Sequence, residues 1–365
     1  MKIIHCNLWG DLEVSDLAVQ IIDTPFFQRL HEIKQNGFAY RVFPTAKTSR
    51  FEHSLGVYFI IHALFKHVSC VPPVDPWTIE LIAIAGLVHD IGHGPFSHWT
   101  DDVFLQEAHC LWSHHEQRSC DLFDHMVVQY NLPVAPAEVC RIQGWIRGES
   151  NGHWYDQLLH NRESGFDVDK LDYLLRDVRA FGFAYRFDPF RILRNIRIID
   201  NRICFCEKIK DELLMMFLIR NKLREQIYRH PKIKQLERFI ADSIPYSAYR
   251  RYLSILYERQ WNAFLQWTDA SLLSNLDPSV LYARSPFQQP QRHLTTRDSE
   301  RKGEEDASKI MKEEKEEEDS EWKKLKNLYF YSRKNPLHAY QIPEQKWNLV
   351  SCFSSRSSSI FSSSL

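Results

Sequence analysis

"LVHDIGHGPFSH", residues 87–98, is the stretch of sequence that says most about the fold and the chemistry of this chain. It closes an apolar run, IELIAIAGLV, and sets His89 and Asp90 side by side, followed by His93 and His98. Because residues four apart lie on one face of a helix, the imidazoles of His89 and His93 can converge. The stretch therefore predicts a buried helix whose end carries imidazole and carboxylate groups toward one site.

The flanking residues set the predicted limits of this helix. Asp75 is a good N-cap residue, Pro76 suits the first turn, and the apolar run follows. Gly92, Gly94 and Pro95 then predict that the helix ends just beyond the histidine–aspartate pair. The apolar run is far too short to span a membrane.

The bulk composition indicates a globular chain and narrows the class of partner. The 365 residues are 44% apolar, and 46 basic side chains nearly balance 47 acidic ones. Such a balance gives no overall field that would attract nucleic acid or a membrane surface. The eight cysteines are scattered without a CxxC pair, and the N-terminus lacks a signal-peptide pattern. We therefore expect an intracellular protein, in the cytoplasm or nucleus, that does not bind membranes.

Helical periodicity dominates residues 1–270, so we predict a mainly α-helical domain there. Two short hairpins interrupt the helices, one at 3–15 that turns at Gly10 and one at 196–207 that turns at an Asp-Asn pair.

The composition changes beyond that domain. Residues 271–325 are polar and dense in charge, which predicts a disordered charged linker. Residues 326–365 combine a short aromatic segment with a serine-rich tail. The aromatic residues that could dock against the domain are Tyr329, Phe330, Tyr331 and Trp347.

The density of histidines makes a metal site more plausible than a purely structural histidine–aspartate pair. Ten of the seventeen histidines lie between His53 and His125. His53 belongs to an earlier segment, RFEHSLG, and a later one, GFDVDKLDYLLRD at 165–177, supplies several acids. Imidazole and carboxylate groups together suit Fe, Zn, Mn or Ni, and the oxygens also leave Mg open. Histidines that do not bind the metal, such as His98 and His115, could donate protons or bind phosphate.

The order of the motifs resembles one family. RFEHSLGV, HDIGHGPFSH, HHEQ and DVDKLDYLLRD resemble the HD-domain superfamily of metal-dependent phosphohydrolases. Within it, IIDTPFFQRL, VFPTAKTSRFEHSLGV and RNKLREQIYRH are similar to the sterile-alpha-motif and HD-domain deoxynucleoside triphosphate triphosphohydrolases. The similarity covers residues 1 to about 235 and includes the HD domain only, without a sterile-alpha-motif domain. It implies an HD-type helical fold with small β-hairpins.

The resemblance also implies an activity and a set of site residues. The family cleaves a deoxynucleoside triphosphate to the deoxynucleoside and inorganic triphosphate, with Fe, Zn or Mn in the HD site and Mg on the substrate. The implied metal ligands are His53, His89, Asp90 and Asp169. The implied catalytic group comprises His115 as proton donor, Asp101 to orient it, and His93 and His98 beside the α-phosphate and sugar. The implied substrate-binding residues are Gln35, Arg50, Lys170, Tyr173, Asp177, Arg220, Tyr228 and His230.

The sequence departs from the family where the resemblance implies regulation and sugar choice. Lys2, Asp23 and Gln28 match parts of a guanine-nucleotide regulatory site. His5 and His31 replace an asparagine and an arginine of that site, Cys206 replaces an arginine of a second pocket, and Asn36 replaces a leucine beside the sugar. We therefore expect activity without a guanine-nucleotide activator, a homodimer as the simplest assembly, and weaker rejection of ribose.

Two other functions remain open on the sequence. The first is an HD-type phosphohydrolase that acts on another nucleotide or phosphoester, since the metal cage does not depend on what carries the phosphate. The second is a catalytically silent regulatory protein that binds nucleic acid through the basic run RNKLREQIYRHPKIK at 220–234. Such a run is more often a solvated helix face.

Overall fold

The computed structural model describes residues 2–68, 73–106, 111–277 and 324–343, together with Ala108 and Val280. Its α-helices are α1 (Asp16–Ile22), α2 (Pro25–Gln28), α3 (Arg50–His67), α4 (Pro76–Val88), α5 (His115–Gln129), α6 (Pro136–Ile146), α7 (Val168–Phe181), α8 (Pro189–Leu193), α9 (Lys210–Leu223), α10 (Pro231–Ser243), α11 (Tyr246–Tyr257), α12 (Trp261–Phe264) and α13 (Asp269–Leu273). Its strands are β1 (Lys2–Cys6), β2 (Gly10–Val14), β3 (Ile196–Ile199), β4 (Arg202–Cys206), β5 (Tyr329–Ser332) and β6 (Asn335–Gln341). The prediction of a mainly α-helical fold with small hairpins is confirmed.

Helix α4 lies at the centre of the fold, between α3 and α6, as its apolar sequence requires. The Asp75 side chain accepts a hydrogen bond from Thr78 N at 2.9 Å, and Pro76 occupies the first turn. The helix ends at Val88, so His89 and the following aspartate leave a buried helix end together. The predicted start of this helix is confirmed, but its end lies at Val88, just before the histidine–aspartate pair and not just beyond it. His89 and His93 therefore do not share a helix face, and they belong to two different clusters. None of the helices in the described parts of the chain has the length and apolar character needed to cross a membrane.

The loop after α4 holds an unusual backbone conformation next to the histidines. Phe96 and Ser97 have positive φ angles of 59° and 58°, which are strained for residues other than glycine. The Phe96 amide donates a hydrogen bond to Asp269 Oδ1 at 2.7 Å, and Asp269 is buried at the start of α13. Helix α13 therefore helps to hold this loop in place, although it crosses the predicted domain boundary at residue 270.

The two predicted hairpins are present. In the first, Cys6 pairs with Gly10, so Gly10 closes the turn with a φ of 78°. In the second, Asp200 and Asn201 join β3 to β4 with φ angles of 49° and 58°. Two positive φ angles are the signature of a type I′ turn, which matches the twist of a two-residue hairpin.

A third pair of strands comes from the aromatic segment near the C-terminus. Strand β5 pairs in parallel with β4 and antiparallel with β6, which gives a four-stranded sheet in the order β3-β4-β5-β6. Phe330 is fully buried in this sheet, with its ring centroid 6.3 Å from that of Phe205. The aromatic segment therefore docks on the helical domain. Trp347, the predicted linker apart from its two ends, and the serine-rich tail lie outside the described residues.

Replacing Phe330 with alanine is expected to lower the free energy of unfolding by about 3–5 kcal/mol, since it removes a fully buried aromatic ring from the sheet. Denaturant unfolding followed by circular dichroism measures this loss. Leu337→Ala on β6 is a matched control, because Leu337 is 83% exposed and its replacement should have almost no effect. A loss below about 1 kcal/mol for Phe330→Ala would contradict the docking of this hairpin.

Candidate active site

Four groups from three helices meet in the interior. His53 lies in the first turn of α3, His89 and Asp90 follow the end of α4, and Asp169 lies in the first turn of α7. His53 Nε2 is 2.9 Å from Asp169 Oδ1 and 3.5 Å from Asp90 Oδ2. His89 Nε2 is 3.4 Å from Asp90 Oδ1 and 3.7 Å from Asp169 Oδ1. The structure therefore brings together the four residues that the family resemblance implies as metal ligands.

In His53 and His89, Nδ1 forms a hydrogen bond outside the cluster, so Nε2 faces the cluster. His53 Nδ1 lies 2.7 Å from Asp172 Oδ2, and His89 Nδ1 donates to the Gly86 carbonyl at 2.7 Å. His53 Nε2 is buried and faces the carboxylates of Asp169 at 2.9 Å and Asp90 at 3.5 Å. An inward-facing imidazole nitrogen beside carboxylates is the arrangement found around a bound cation. These residues therefore fit a divalent metal.

Asp90 is held in the ionised form that a metal requires. Burial alone would raise the pKa of Asp90, but the Arg50 guanidinium and the neighbouring histidines hold it well below its usual value. Arg50 Nη1 donates to Asp90 Oδ2 at 2.6 Å, and Arg50 Nε donates to Ser97 Oγ at 2.9 Å. The strained loop after α4 therefore positions Arg50 against the cluster.

A second cluster lies beside the first. It consists of His93, His98, Asp101 and His115, whose ligand atoms all lie within 4.8 Å of one another. His115 Nδ1 is 2.8 Å from Asp101 Oδ2, and the rings of His93 and His115 stack at 3.9 Å. Arg118, which is fully buried, donates to the other carboxylate oxygen of Asp101. The second cluster offers a single carboxylate, which Arg118 neutralises, whereas the first offers Asp169 in addition to the Arg50-paired Asp90, so the first is better suited to a dication.

The charges in the second cluster are set by that ion pair. Burial alone would raise the pKa of Asp101, but Arg118 and the hydrogen bond with His115 hold it far below its usual value. Burial lowers the pKa of His93 well below its usual value, and the charges of Arg50 and His115 add to this effect. Asp101 is thus a fixed anion that orients His115, while His93 stays neutral.

Both clusters border one cavity of about 610 Å³. This volume is in the range of sites that enclose a small ligand. Two π-helical turns border the cavity, Thr100–Phe104 and Arg224–Tyr228, and such turns are frequent at functional sites. The predicted residues that line the cavity are Gln35, Arg50, His89, Asp90, His98, His115, Asp169, Lys170, Tyr173, Asp177, Arg220 and Tyr228.

Four predicted residues do not line the cavity. His53, His93 and Asp101 are in direct contact with lining residues, so they lie immediately behind the wall. His230 lies elsewhere, because its side chain accepts a hydrogen bond from Lys232 N at the start of α10 and its ring lies 5.6 Å from that of Phe43. The structure does not bring His230 to the cavity.

Helix α7 carries a row of polar side chains along the cavity. Asp169, Tyr173 and Asp177 are four residues apart and therefore share one helix face. Asp177 is only 1% exposed and accepts hydrogen bonds from Asn36 Nδ2 and from the Tyr228 hydroxyl, both at 2.6 Å. Burial raises the pKa of Asp177 to about 6.

The raised pKa of Asp177 predicts a dependence of stability on pH. Because the folded protein binds this proton more tightly than the unfolded chain, Asp177 should make folding less favourable as the pH rises through about 6. The stability of Asp177→Asn relative to the unchanged protein should therefore increase by about 1.5 kcal/mol between pH 5 and pH 8. Urea unfolding of both proteins at the two pH values measures this difference, and effects that do not depend on pH cancel. An unchanged difference would contradict the raised pKa.

The residues matched to a regulatory site lie on the surface. Lys2 Nζ is 3.6 Å from Asp23 Oδ1, and Gln28 Nε2 donates to the Ile22 carbonyl at 2.8 Å. The ring of His31 stacks on Phe51 at 3.6 Å.

Cys206 borders a second cavity of about 330 Å³ beside the four-stranded sheet. Its basic lining residues are Arg194, Arg197, Lys208 and Arg333. This cavity is therefore positively charged although Cys206 itself contributes no charge. The expectation of activity without a guanine-nucleotide activator stays a prediction.

Sequence reasoning missed the residues that orient the metal ligands. Asp172 supports His53, and it is itself hydrogen-bonded to Trp9 Nε1 and to Arg176 Nε, each at 2.6 Å. A Cβ atom at Gly56 would lie 1.8 Å from Asp172 Oδ1, so glycine is needed there for α3 and α7 to approach. The His-x-x-Gly spacing in α3 and the Asp-x-x-Asp spacing in α7 were the available signals.

Comparisons with known proteins agree with this geometry. Residues 50–176 match the HD domain family. The human deoxynucleoside triphosphate triphosphohydrolase SAMHD1 is 35% identical over 277 residues, covering 67% of this chain and 44% of that protein. A SAMHD1 homolog from Dictyostelium discoideum is 35% identical over 250 residues (66% of this chain, 48% of that protein). The putative HD domain-containing protein L394 of Acanthamoeba polyphaga mimivirus is 35% identical over 262 residues (66% and 57%). The chain spans about half the length of these relatives, and the segment that matches the HD domain contains His53, His89, Asp90 and Asp169.

Proposed function

We propose that the protein hydrolyses deoxynucleoside triphosphates to the deoxynucleoside and inorganic triphosphate in a metal-dependent reaction. The observation that carries this proposal is the opening of both histidine clusters onto one cavity that also contains Lys170 and Arg220. A metal cage, an oriented imidazole and phosphate-binding cations are the parts that this reaction needs. The names of two of the relatives, which are triphosphohydrolases of deoxynucleoside triphosphates, support the choice of substrate.

The metal site is assigned to His53, His89, Asp90 and Asp169. When bound, a divalent cation supplies a Lewis acid that polarises a phosphate oxygen and activates water. Two imidazoles and two carboxylates suit Fe, Zn or Mn, and Mg would accompany the triphosphate. Arg50 and Asp172 hold Asp90 and His53 in place from outside the cage.

The proton for the leaving group is assigned to His115. As a water oxygen bonds to the α-phosphorus, the bond from phosphorus to the 5′-oxygen breaks, and that oxygen must gain a proton. Asp101 accepts a hydrogen bond from His115 Nδ1, which orients the ring and leaves Nε2 to carry the proton that is transferred. Neutral His93 stacks against His115, and His98 reaches the cavity beside it, so both are assigned to the surroundings of the α-phosphate and sugar.

The triphosphate charge is assigned to Arg50, Lys170 and Arg220, which all line the cavity. Guanidinium groups bind phosphate oxygens through paired hydrogen bonds. Asp167 is the N-cap of α7 and forms an ion pair with Lys170, so the ammonium is held at the start of the helix that carries the metal ligand Asp169. Tyr173, Gln35 and Asp177 are assigned to the sugar, and Tyr228 to the base.

The placement of the basic run at 220–234 disfavours the nucleic-acid alternative. Arg220, Arg224, Arg229 and Lys234 all line the cavity. These cations therefore serve a ligand of cavity size better than an extended nucleic acid. A homodimer as the assembly is a further proposal, which rests on the sequence alone.

Incubation of the purified protein with each of the four deoxynucleoside triphosphates and Mn²⁺ or Mg²⁺ tests the proposal. We expect inorganic triphosphate and deoxynucleoside in equal amounts. Release of phosphate from nucleoside monophosphates, with no reaction of triphosphates, would favour the alternative of an HD-type phosphohydrolase that acts on another nucleotide. Absence of turnover with every substrate and metal would overturn the proposed activity.

A further inference from the structure

The end of the cavity that we assign to the sugar contains more hydrogen-bond acceptors than a deoxyribose needs. Asp177 can only accept in its ionised form, so the Asn36 amide must turn its Nδ2 toward this carboxylate. Asn36 Oδ1 is then directed away from Asp177, since Nδ2 is the atom that donates to this carboxylate. Asn36 lines the cavity, so this carbonyl is available to a ligand.

The preceding residue repeats this pattern. Gln35 also lines the cavity and is only 7% exposed, and its Oε1 makes no hydrogen bond within the described part of the chain. A buried acceptor without a partner costs about 1–3 kcal/mol, which a hydroxyl of a bound ligand would recover. Two consecutive residues therefore offer amide oxygens to hydroxyl donors.

A nucleotide sugar supplies such donors at its 3′- and 2′-positions, and deoxyribose lacks the second. The 2′-hydroxyl both donates and accepts hydrogen bonds, so it can bond to an amide oxygen and be bonded by an amide hydrogen. Asn36 Nδ2 keeps one hydrogen beyond the one given to Asp177. An apolar side chain at this position would instead bury the 2′-hydroxyl without a partner.

We propose that Asn36 determines sugar specificity and extends the substrate class of this site to ribonucleoside triphosphates. The inference rests on the proposed function, since it concerns the same cavity and the same reaction. Asn36 contributes the acceptor for the 2′-hydroxyl, Gln35 and Asp177 serve the other hydroxyl, and Tyr173 on α7 lies between Asp177 and the metal ligand Asp169.

The test compares kcat/KM for dATP and ATP in the unchanged protein and in Asn36→Leu. The unchanged protein is expected to hydrolyse ATP within about tenfold of dATP, because discrimination by packing alone amounts to about 10–200-fold and Asn36 removes part of it. Asn36→Leu is expected to retain dATP hydrolysis within a few-fold and to lose at least about tenfold on ATP. Asn36→Ala, which removes the amide but leaves space for the hydroxyl, should fall between them.

Asn221→Leu is the matched control. Asn221 also donates its amide to a carboxylate, that of Glu225 at 3.1 Å, but it lies outside the cavity, so its replacement should leave both rates unchanged. Equal and strong rejection of ATP by the unchanged protein and Asn36→Leu would overturn the role of Asn36 while leaving the proposed function intact. Absence of dATP hydrolysis in the unchanged protein would overturn the proposed function itself.

If Asn36→Leu lowers both activities together, the binding of ATP and dATP to His115→Ala and to the double variant with Asn36→Leu decides the question. A ratio of affinities that shifts toward dATP in the double variant supports the inference, and an unchanged ratio overturns it.

Discussion

Asp90→Ala is expected to lose bound metal and hydrolytic activity together. Turnover should fall by at least about a thousandfold, because the Lewis acid is lost with the metal. Asp90 is 2% exposed and lies within 3.5 Å of both His53 Nε2 and His89 Nε2, so no neighbouring carboxylate can take its place without moving. The helical fold should persist, since the core around α4 is apolar and does not depend on the metal. Metal content per chain and far-ultraviolet circular dichroism measure the two effects separately.

The ion pair between Arg50 and Asp90 calls for a second variant. Removing one partner of a buried pair can cost about 3–5 kcal/mol, so Asp90→Ala is expected to be less stable. Asp90→Asn retains an acceptor for Arg50, and His89→Ala leaves the pair intact. Both should still lose the metal, whereas Asp211→Ala, at an exposed position of α9, should retain it. Full metal occupancy in Asp90→Ala would refute the assignment.

His115→Ala is expected to keep the metal and to lose about 10²–10⁴-fold in turnover, which is the usual contribution of a positioned proton donor. The reason is geometric: His115 contacts Asp101 and lines the cavity, but it is not part of the cluster of His53, His89 and Asp90. Single-turnover rates and metal analysis on the same preparation provide the measurement. Loss of the metal with the activity would mean that His115 is a ligand.

His114→Ala is the control for that experiment. His114 precedes α5 and its side chain forms no capping hydrogen bond, so its loss should change turnover by no more than a few-fold.

The central helix and a histidine-rich metal site could be predicted because their signals are local, whereas the choice of Asp169 among the acids of α7 came from the family resemblance. Asp75, Pro76 and the two glycines after Asp90 define α4, and the spacing of apolar residues buries it. The ligands lie in short motifs whose residue types already suit a metal. The Asp-Asn turn between β3 and β4 was predictable for the same reason.

The supporting contacts could not be predicted in this way because they join distant segments. Trp9 and Asp172 meet across the fold, and β5 pairs with β4 across more than a hundred residues of chain. No local pattern encodes the partner of a strand that arrives from so far along the sequence. The orientation of the Asn36 amide also could not be predicted, because it depends on the carboxylate of Asp177 in α7, far away in the sequence.

Hydrolysis of dATP in water enriched in oxygen-18 tests the central claim most directly. Mass spectrometry of both products locates the oxygen that comes from water. Attack of water on the α-phosphorus, at the metal cage and opposite the oxygen protonated by His115, predicts one labelled oxygen in the inorganic triphosphate and none in the deoxynucleoside. Label in orthophosphate or pyrophosphate, or in the 5′-hydroxyl of the deoxynucleoside, would contradict the account.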